Sequence, residues 1–316
     1  MAESTMGGMA NLTFTLESGR TVGVTTFGDS AAERLVVFCH SAPGSSMFDP
    51  EPTVSSTRNV HIVALDRPGY GSSEPLPPGT WPSITRYADD IAEYLRVVTK
   101  EEIELGITRP RTVGIAGWSA GGRVALAFAA RYPDLVDRVA LIATPAPNEK
   151  VRWIDPPLQA ESDRLATLPP DAAIAQLTAM VQPQALAVLA AEDDDAVPLD
   201  LIGDTQVDAD VLRLPGARDR LARMLRDAYR QGAHGVAADI LSYTAHPWGF
   251  ALGDVAAKTL IVSGRGDPIA GSAHAAWYQK ALPDARVEMF PGAGHLVVIP
   301  AWERVLSHLA PGTLRQ

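Results

Sequence analysis

The sequence predicts an α/β fold: a mostly parallel, eight-stranded sheet flanked by helices, with a helical block inserted late in the chain. Three observations predict it. Short apolar β-type runs alternate with amphipathic helical stretches, the pattern of parallel strands joined by helical crossovers and covered on both faces. A turn of small residues, Gly117-Trp118-Ser119-Ala120-Gly121, separates one such run from one such helix. The stretch from about Pro145 to Leu252 breaks the rhythm, with few β-type runs and many Ala, Asp and Pro residues.

The elements follow in chain order. Met1 to Ala10 has neither a basic start nor an apolar run, so it reads as a frayed tail rather than a signal peptide. Leu12–Leu16 and Thr21–Thr25 flank Glu17-Ser18-Gly19-Arg20, a hairpin signal. Strands are predicted at 35–39, 60–65, 112–116 and 138–143. Between them, Ile84, Tyr87, Ile91, Tyr94, Leu95 and Val98 recur on a helical period across Ser83–Val98. A second helix is expected from Gly122 to Arg131, ended by Tyr132-Pro133. In the inserted block, Ala172–Ala190 and Ala217–Arg230 look helical, with Leu221, Met224, Leu225 and Tyr229 as a packing stripe. Strands at 258–263 and 286–290, a helix near 271–282 between them, and a closing helix Trp302–Leu309 complete the pattern. The expected division is one core from 1–144 and 253–316, with 145–252 as a separate helical unit.

The 316 residues, 46% of them hydrophobic, are enough to bury a large core. A net charge of −10 with no run of Lys and Arg argues against a nucleic-acid or anionic-membrane partner. The single cysteine, Cys39, excludes an internal disulfide and, in an apolar strand, reads as core packing. No membrane-spanning run is expected, and the cytoplasm is the expected location. Glu192-Asp193-Asp194-Asp195 could suggest a metal, but no His or further carboxylate is spaced to complete a shell, so a solvated turn is expected and no metal or cofactor.

The turn at Ser119 has the form G-x-S-x-G. A serine on a sharp strand-to-helix turn is pushed above the sheet, and the N–H groups of the following helix face a developing anion. Two later strands end in the partners such a serine needs: Leu260–Asp267 ends in Asp267, and Glu288–His295 in His295. The order is thus nucleophile, acid, base. Upstream, a strand runs into His40-Ser41-Ala42-Pro43-Gly44 and another into Asp66-Arg67-Pro68-Gly69-Tyr70-Gly71-Ser72-Ser73.

On these residues the chain resembles the α/β-hydrolase superfamily, from about Leu12 to the C-terminus. Its Ser, Asp, His order is that family's order. The H-G-x-P-G loop matches at four of five positions in His40–Gly44, and D-x-x-G-x-G-x-S matches Asp66–Ser73. The departure is Ser41, where the family usually has Gly. Either the loop takes another shape, or Ser41 places a hydroxyl near the oxyanion. The resemblance implies an α/β-hydrolase fold in which 145–252 is a cap over the serine.

The same resemblance implies roles. Ser119 is the expected nucleophile, His295 the base and then acid, and Asp267 the group that orients the imidazole. The backbone N–H groups of Ala42 and Ala120 are the expected oxyanion donors. Ser41, Trp118, Trp248 and Phe250 are candidate pocket residues. His40 is expected to be structural; His61 precedes a strand core, His274 and His308 fall on outer helices, and His234 and His246 lie in the inserted block, at the surface or else facing the pocket. A serine nucleophile suits acyl transfer, so the expected function is hydrolysis of a small ester, lactone or amide through an acyl-enzyme, with a small-molecule acyl substrate and water as partners. The alternatives are a C–C bond hydrolase or aminopeptidase-like enzyme on the same three residues, or a ligand-binding receptor with slow turnover.

Overall fold

The computed structural model describes residues 9–104 and 112–312. Most of the predicted tail, residues 1–8, lies outside the described residues. Eight strands form one sheet: β1 (Ala10–Thr15), β2 (Thr21–Gly28), β3 (Leu35–Cys39), β4 (His61–Leu65), β5 (Val113–Trp118), β6 (Val136–Ile142), β7 (Lys258–Gly264) and β8 (Ala285–Phe290). Among the described residues ten α-helices accompany them: α1 (Pro52–Thr57), α2 (Ile84–Glu104), α3 (Ala120–Arg131), α4 (Pro156–Leu165), α5 (Pro170–Ala190), α6 (Ala209–Leu212), α7 (Ala217–Ala228), α8 (His234–Thr244), α9 (Ser272–Ala281) and α10 (Trp302–Leu309).

The strand order is β1-β2-β4-β3-β5-β6-β7-β8. The β1–β2 hairpin forms as predicted and joins β4 antiparallel; all pairs from β4 to β8 are parallel. Alternation along the strands sorts side chains to two faces. Val37, Cys39, Val63, Ile115, Val139 and Ile261 share a buried cluster with residues of α2, α3 and α9. Val36, Phe38, Ile62, Ala116, Ala140 and Val262 share the other with α10, α7 and α8. Both faces are therefore covered, which is why these strands read as continuous apolar runs.

The predicted helix at 83–98 extends to Glu104. The extra turn has no apolar period because it is solvated; Lys100 and Glu104, good helix formers, pair across it at 4.0 Å.

Helices α4 to α8 fall between β6 and β7 in sequence, yet those two strands pair directly, Arg138 to Ile142 against Lys258 to Val262. The inserted helices bury Leu165, Ala173, Ile174, Leu177, Ala237 and Leu241 against one another. One sequence expectation needs correction: α5 is long and apolar enough, by length and composition, to cross a membrane. Its Ala173, Ile174, Leu177, Ala185 and Val188 are buried against the protein's own residues, and Pro183 lies inside it.

Candidate active site

The strand β5 is buried along its whole length, and the chain turns at Ser119 into α3. Ser119 has φ 54° and ψ −118°, a backbone conformation rarely adopted by a non-glycine residue. The crossing is too close for side chains on its inner face. A Cβ on Gly121 would lie 2.1 Å from the Cys39 carbonyl oxygen, and one on Gly117 would lie 2.2 Å from that of Gly121. This packing explains the spacing of small residues around the serine.

The structure brings Ser119, His295 and Asp267 together. His295 Nε2 lies 3.0 Å from Ser119 Oγ, and His295 Nδ1 lies 2.9 Å from Asp267 Oδ2. With the Nδ1 proton directed at Asp267, Nε2 is the acceptor for the serine hydroxyl. Asp267 Oδ1 accepts the backbone N–H groups of Ile269 and Ala270, at 2.8 and 2.9 Å. Burial pushes the Asp267 carboxyl up, but the bond from His295 and these N–H groups outweigh it and hold its pKa below the ordinary value. All three side chains are buried, with Ser119 9% exposed.

Two contacts hold the backbone of His295 that sequence reasoning did not find. Asp208 Oδ1 accepts from Gly294 N at 2.7 Å and Leu296 N at 3.3 Å, one on each side of the histidine. The second is Trp118, whose Nε1 donates to the His295 carbonyl at 3.0 Å. This corrects the expectation that Trp118 lines an acyl pocket. Its ring is fully buried and packs on Phe48, because the last side chain of β5 points to the α10 side of the sheet.

A cavity of about 90 Å³ opens at Ser119. Ser41, Ala42, Ala120 and His295 line it together with Leu201, Ile202 and Gly203 of the inserted segment. Gly203 has φ 76°, and a Cβ there would lie 2.7 Å from Ile269 and 3.0 Å from His295, so the chain approaches the imidazole as a glycine only.

Ser41 lines the cavity, but its hydroxyl donates to the Pro43 carbonyl at 2.7 Å. Among the described residues, the non-glycine positive φ values are those of Ser119 and Ala143. Ser41 is therefore not in the left-handed region, and this loop does not need the glycine. Its shape is set instead by Arg67. Arg67 Nη1 donates to the His40 carbonyl at 2.7 Å and Nη2 to the Ser41 carbonyl at 2.6 Å. The same guanidinium grips Asp239 Oδ2 of α8 through Nε at 3.0 Å and Nη2 at 2.6 Å. His40 is structural, as expected: Nδ1 donates to the Ser41 carbonyl and Nε2 accepts the Arg67 N–H. Burial and the Arg67 charge hold its pKa well below the ordinary value, so it stays neutral.

Trp248 and Phe250 do not line this cavity. They stack on each other, centroids 6.0 Å apart, in the wall of a neighbouring cleft of about 1050 Å³. Cavity and cleft share Arg123, Trp153 and Tyr243. His274 and His308 sit on α9 and α10 but face inward, bonded to Ala146 N and to the Val139 and Lys258 carbonyls. His61 begins β4, His234 is half-buried in a separate groove, and His246 is exposed at the rim of the large cleft. The acidic turn at 192–195 is solvated, with Arg226 and Arg218 beside Asp194 and Asp195. Among the described residues no group of His, Cys, Asp and Glu side chains is arranged to hold a metal ion.

A sheet of this order, a serine on a strained turn after its central strand, and a His–Asp pair at the ends of later strands define a class of protein. The family model for the alpha/beta hydrolase fold matches residues 34–301, and the chain belongs to that family. A pimeloyl-[acyl-carrier protein] methyl ester esterase of Aromatoleum aromaticum is 28% identical over 245 residues, covering 77% of this chain and 83% of that one. A 2-(acetamidomethylene)succinate hydrolase of Mesorhizobium japonicum is 29% identical over 272 residues, covering 83% of this chain and 82% of that one. The crystal structure of a hydrolase from Pseudomonas aeruginosa superposes with a TM-score of 0.66 at 22% identity, over 95% of this chain and 98% of that one, and shares the fold.

Proposed function

We propose that the protein is a serine hydrolase that cleaves a small carboxylic ester, lactone or amide through an acyl-enzyme. The chain is a hydrolase of the α/β-hydrolase family; the residue roles and the bond cleaved are this proposal's content. The observation that carries it is the continuous hydrogen-bonded chain Ser119 Oγ, His295 Nε2, His295 Nδ1, Asp267 Oδ2, with links of 3.0 and 2.9 Å.

Ser119 Oγ attacks the acyl carbon while its proton passes to His295 Nε2. The carbonyl π electrons move to oxygen, and the backbone N–H groups of Ala42 and Ala120 stabilise that oxyanion. Collapse re-forms the carbonyl and expels the leaving group, which takes the proton from His295. Water then repeats the sequence on the acyl-enzyme and releases the acid and free Ser119. Asp267 keeps the imidazole oriented and stabilises its charged form. Helices α4–α8 act as the cap, with Asp208 as a positioning residue for His295. The relatives named as a methyl ester esterase and an amide-bearing succinate hydrolase support an acyl bond as the target.

The test is intact-mass analysis after treatment with a fluorophosphonate, with Ser119→Ala as control. The expected result is one adduct, absent from the variant, with loss of hydrolysis in the variant. A folded wild-type protein that takes no adduct at Ser119 overturns the reading.

A further inference from the structure

Among the described residues, Arg123 forms no ion pair with a carboxylate, and two of its nitrogens are buried without a partner. It lies one helical turn past Ser119 on α3, in a run where every residue from Ala120 to Ala129 is buried. The residue is 2% exposed, and among the described residues its Nε and Nη2 have no hydrogen-bond partner. Asp239, which acts on it through space, gives its Oδ2 to Arg67 and Tyr70. The surroundings of Arg123 are aromatic: its Cζ lies 4.2 Å from the ring centre of Tyr243, 5.2 Å from that of Trp153 and 5.6 Å from that of Trp248. Ring faces attract a guanidinium but take up none of its in-plane N–H groups. Burial pulls the pKa of Arg123 down from the ordinary arginine value, the sign of a cation short of compensation.

The position of this cation matters as much as its isolation. Arg123, Trp153 and Tyr243 are the residues common to the cavity at Ser119 and the large cleft beside it. A molecule reaching from one into the other passes Arg123. Elsewhere in the protein the Nε–Nη2 edge of an arginine holds a carboxylate, as Arg131 holds Asp89 and Arg164 holds Glu161. Arg123 has the same edge unused.

We propose that Arg123 sets substrate specificity by pairing with a free carboxylate on the molecule whose acyl group Ser119 attacks. This rests on the serine-hydrolase reading and names its substrate class: monoesters, or the corresponding amides, of short dicarboxylic acids. Ser119 and Arg123 both line the same cavity of about 90 Å³, so the linker that joins the two groups is short. A planar carboxylate matches the guanidinium fork, and the water-poor aromatic surroundings strengthen the pairing.

The test compares monomethyl with dimethyl succinate, glutarate and adipate, following methanol release. Each pair shares the scissile ester and differs in whether the remote carboxyl is charged. With the dimethyl ester corrected for its two equivalent groups, wild-type kcat/KM favours the anionic member of the best pair by roughly 10- to 100-fold. Arg123→Met brings that ratio close to one, chiefly through KM, and Arg123→Lys restores part of it. A wild-type enzyme that treats both members alike overturns the inference without needing a variant. So does an Arg123→Met protein in which both members fall together and the ratio persists, since that is the signature of a packing role. Fluorophosphonate labelling of wild-type Ser119 separates the two levels. An adduct without charge preference overturns this inference alone, and no adduct overturns the hydrolase reading with it.

Discussion

Replacing Asp239 by Asn tests whether the pair between α8 and the Arg67 loop organises the site. Arg67 and Asp239 have side chains only 5% and 3% exposed. The carboxylate oxygen Oδ2 receives two N–H groups from Arg67 and the Tyr70 hydroxyl at 3.2 Å. Removing one charge of such a pair leaves the other buried and uncompensated, at a cost of about 3–5 kcal/mol. At about 2–4 °C per kcal/mol for a chain of this order of size, the midpoint of thermal unfolding falls by roughly 6–20 °C. The effect reaches the chemistry, because Arg67 also holds the His40 and Ser41 carbonyls and so the position of the Ala42 N–H. In the proposed mechanism the Ala42 N–H is an oxyanion donor; loss of one such donor costs about 10²–10³ in rate, which bounds the expected slowing of fluorophosphonate labelling. The assays are thermal unfolding by circular dichroism and the labelling rate at a temperature where the variant is folded. An Arg67→Met/Asp239→Leu double variant, with both charges gone, loses less stability than the sum of the two single variants. An Asp239→Asn protein that unfolds within about 2 °C of wild type and labels at the same rate refutes the reasoning.

Two further outcomes follow from the packing and from burial. Gly121→Ala puts a Cβ 2.1 Å from the Cys39 carbonyl oxygen and 2.5 Å from that of His40, both backbone atoms. Moving β3 away from α3 costs about 1–3 kcal/mol or more and displaces Ser119, so denaturant unfolding shifts to lower concentration and labelling slows; unchanged values of both would show that the crossing is not tight. Asp66 is pushed up to about 6, by burial first and the Asp227 charge among the smaller causes, against the N–H groups of Ser46 and Ser72 that it accepts. The folded state then keeps a proton that the unfolded chain has lost. The stability it adds is fully present below the unfolded pKa near 3.9 and disappears as pH rises through about 6. Over that window the stability of wild type relative to Asp66→Asn falls by roughly 3 kcal/mol, read from urea unfolding at each pH. Asp49, also raised to about 6, is present in both proteins and cancels. A difference that is flat with pH would mean that Asp66 is ionised throughout.

Much of this was legible because strand ends carry both the fold signal and the chemistry. The apolar runs ending at Trp118, Gly264 and Phe290 placed Ser119, Asp267 and His295 just past the carboxyl ends of parallel strands without any knowledge of contacts. Asp208 and Asp239 were not legible, since each lies in the inserted segment and meets a partner far along the chain. Nothing in local periodicity records such a meeting. Trp118 misled because adjacency in sequence suggested a shared face, whereas the end of β5 and the turn after it point different ways. Arg123 did leave a trace: it is the lone charge between Gly122 and Arg131 on a helix of small and apolar residues. Its burial could have been inferred from that run, though its aromatic surroundings could not.

The direct pairing of β6 with β7 divides the chain into parts that can change at different speeds. The five helices between those strands add no rung to the ladder from Arg138–Lys258 to Ile142–Val262. Residues in that insertion can be exchanged, and the walls around Trp153 and Tyr243 remodelled, without altering the register that places Ser119, Asp267 and His295. Two carboxylates limit this freedom. Asp208 holds the chain on both sides of His295, and Asp239 holds the arginine that shapes the Ser41 loop. A transplanted insertion that keeps these two acids can bring new walls to an unchanged Ser119–His295–Asp267 arrangement; one that loses them changes the arrangement as well.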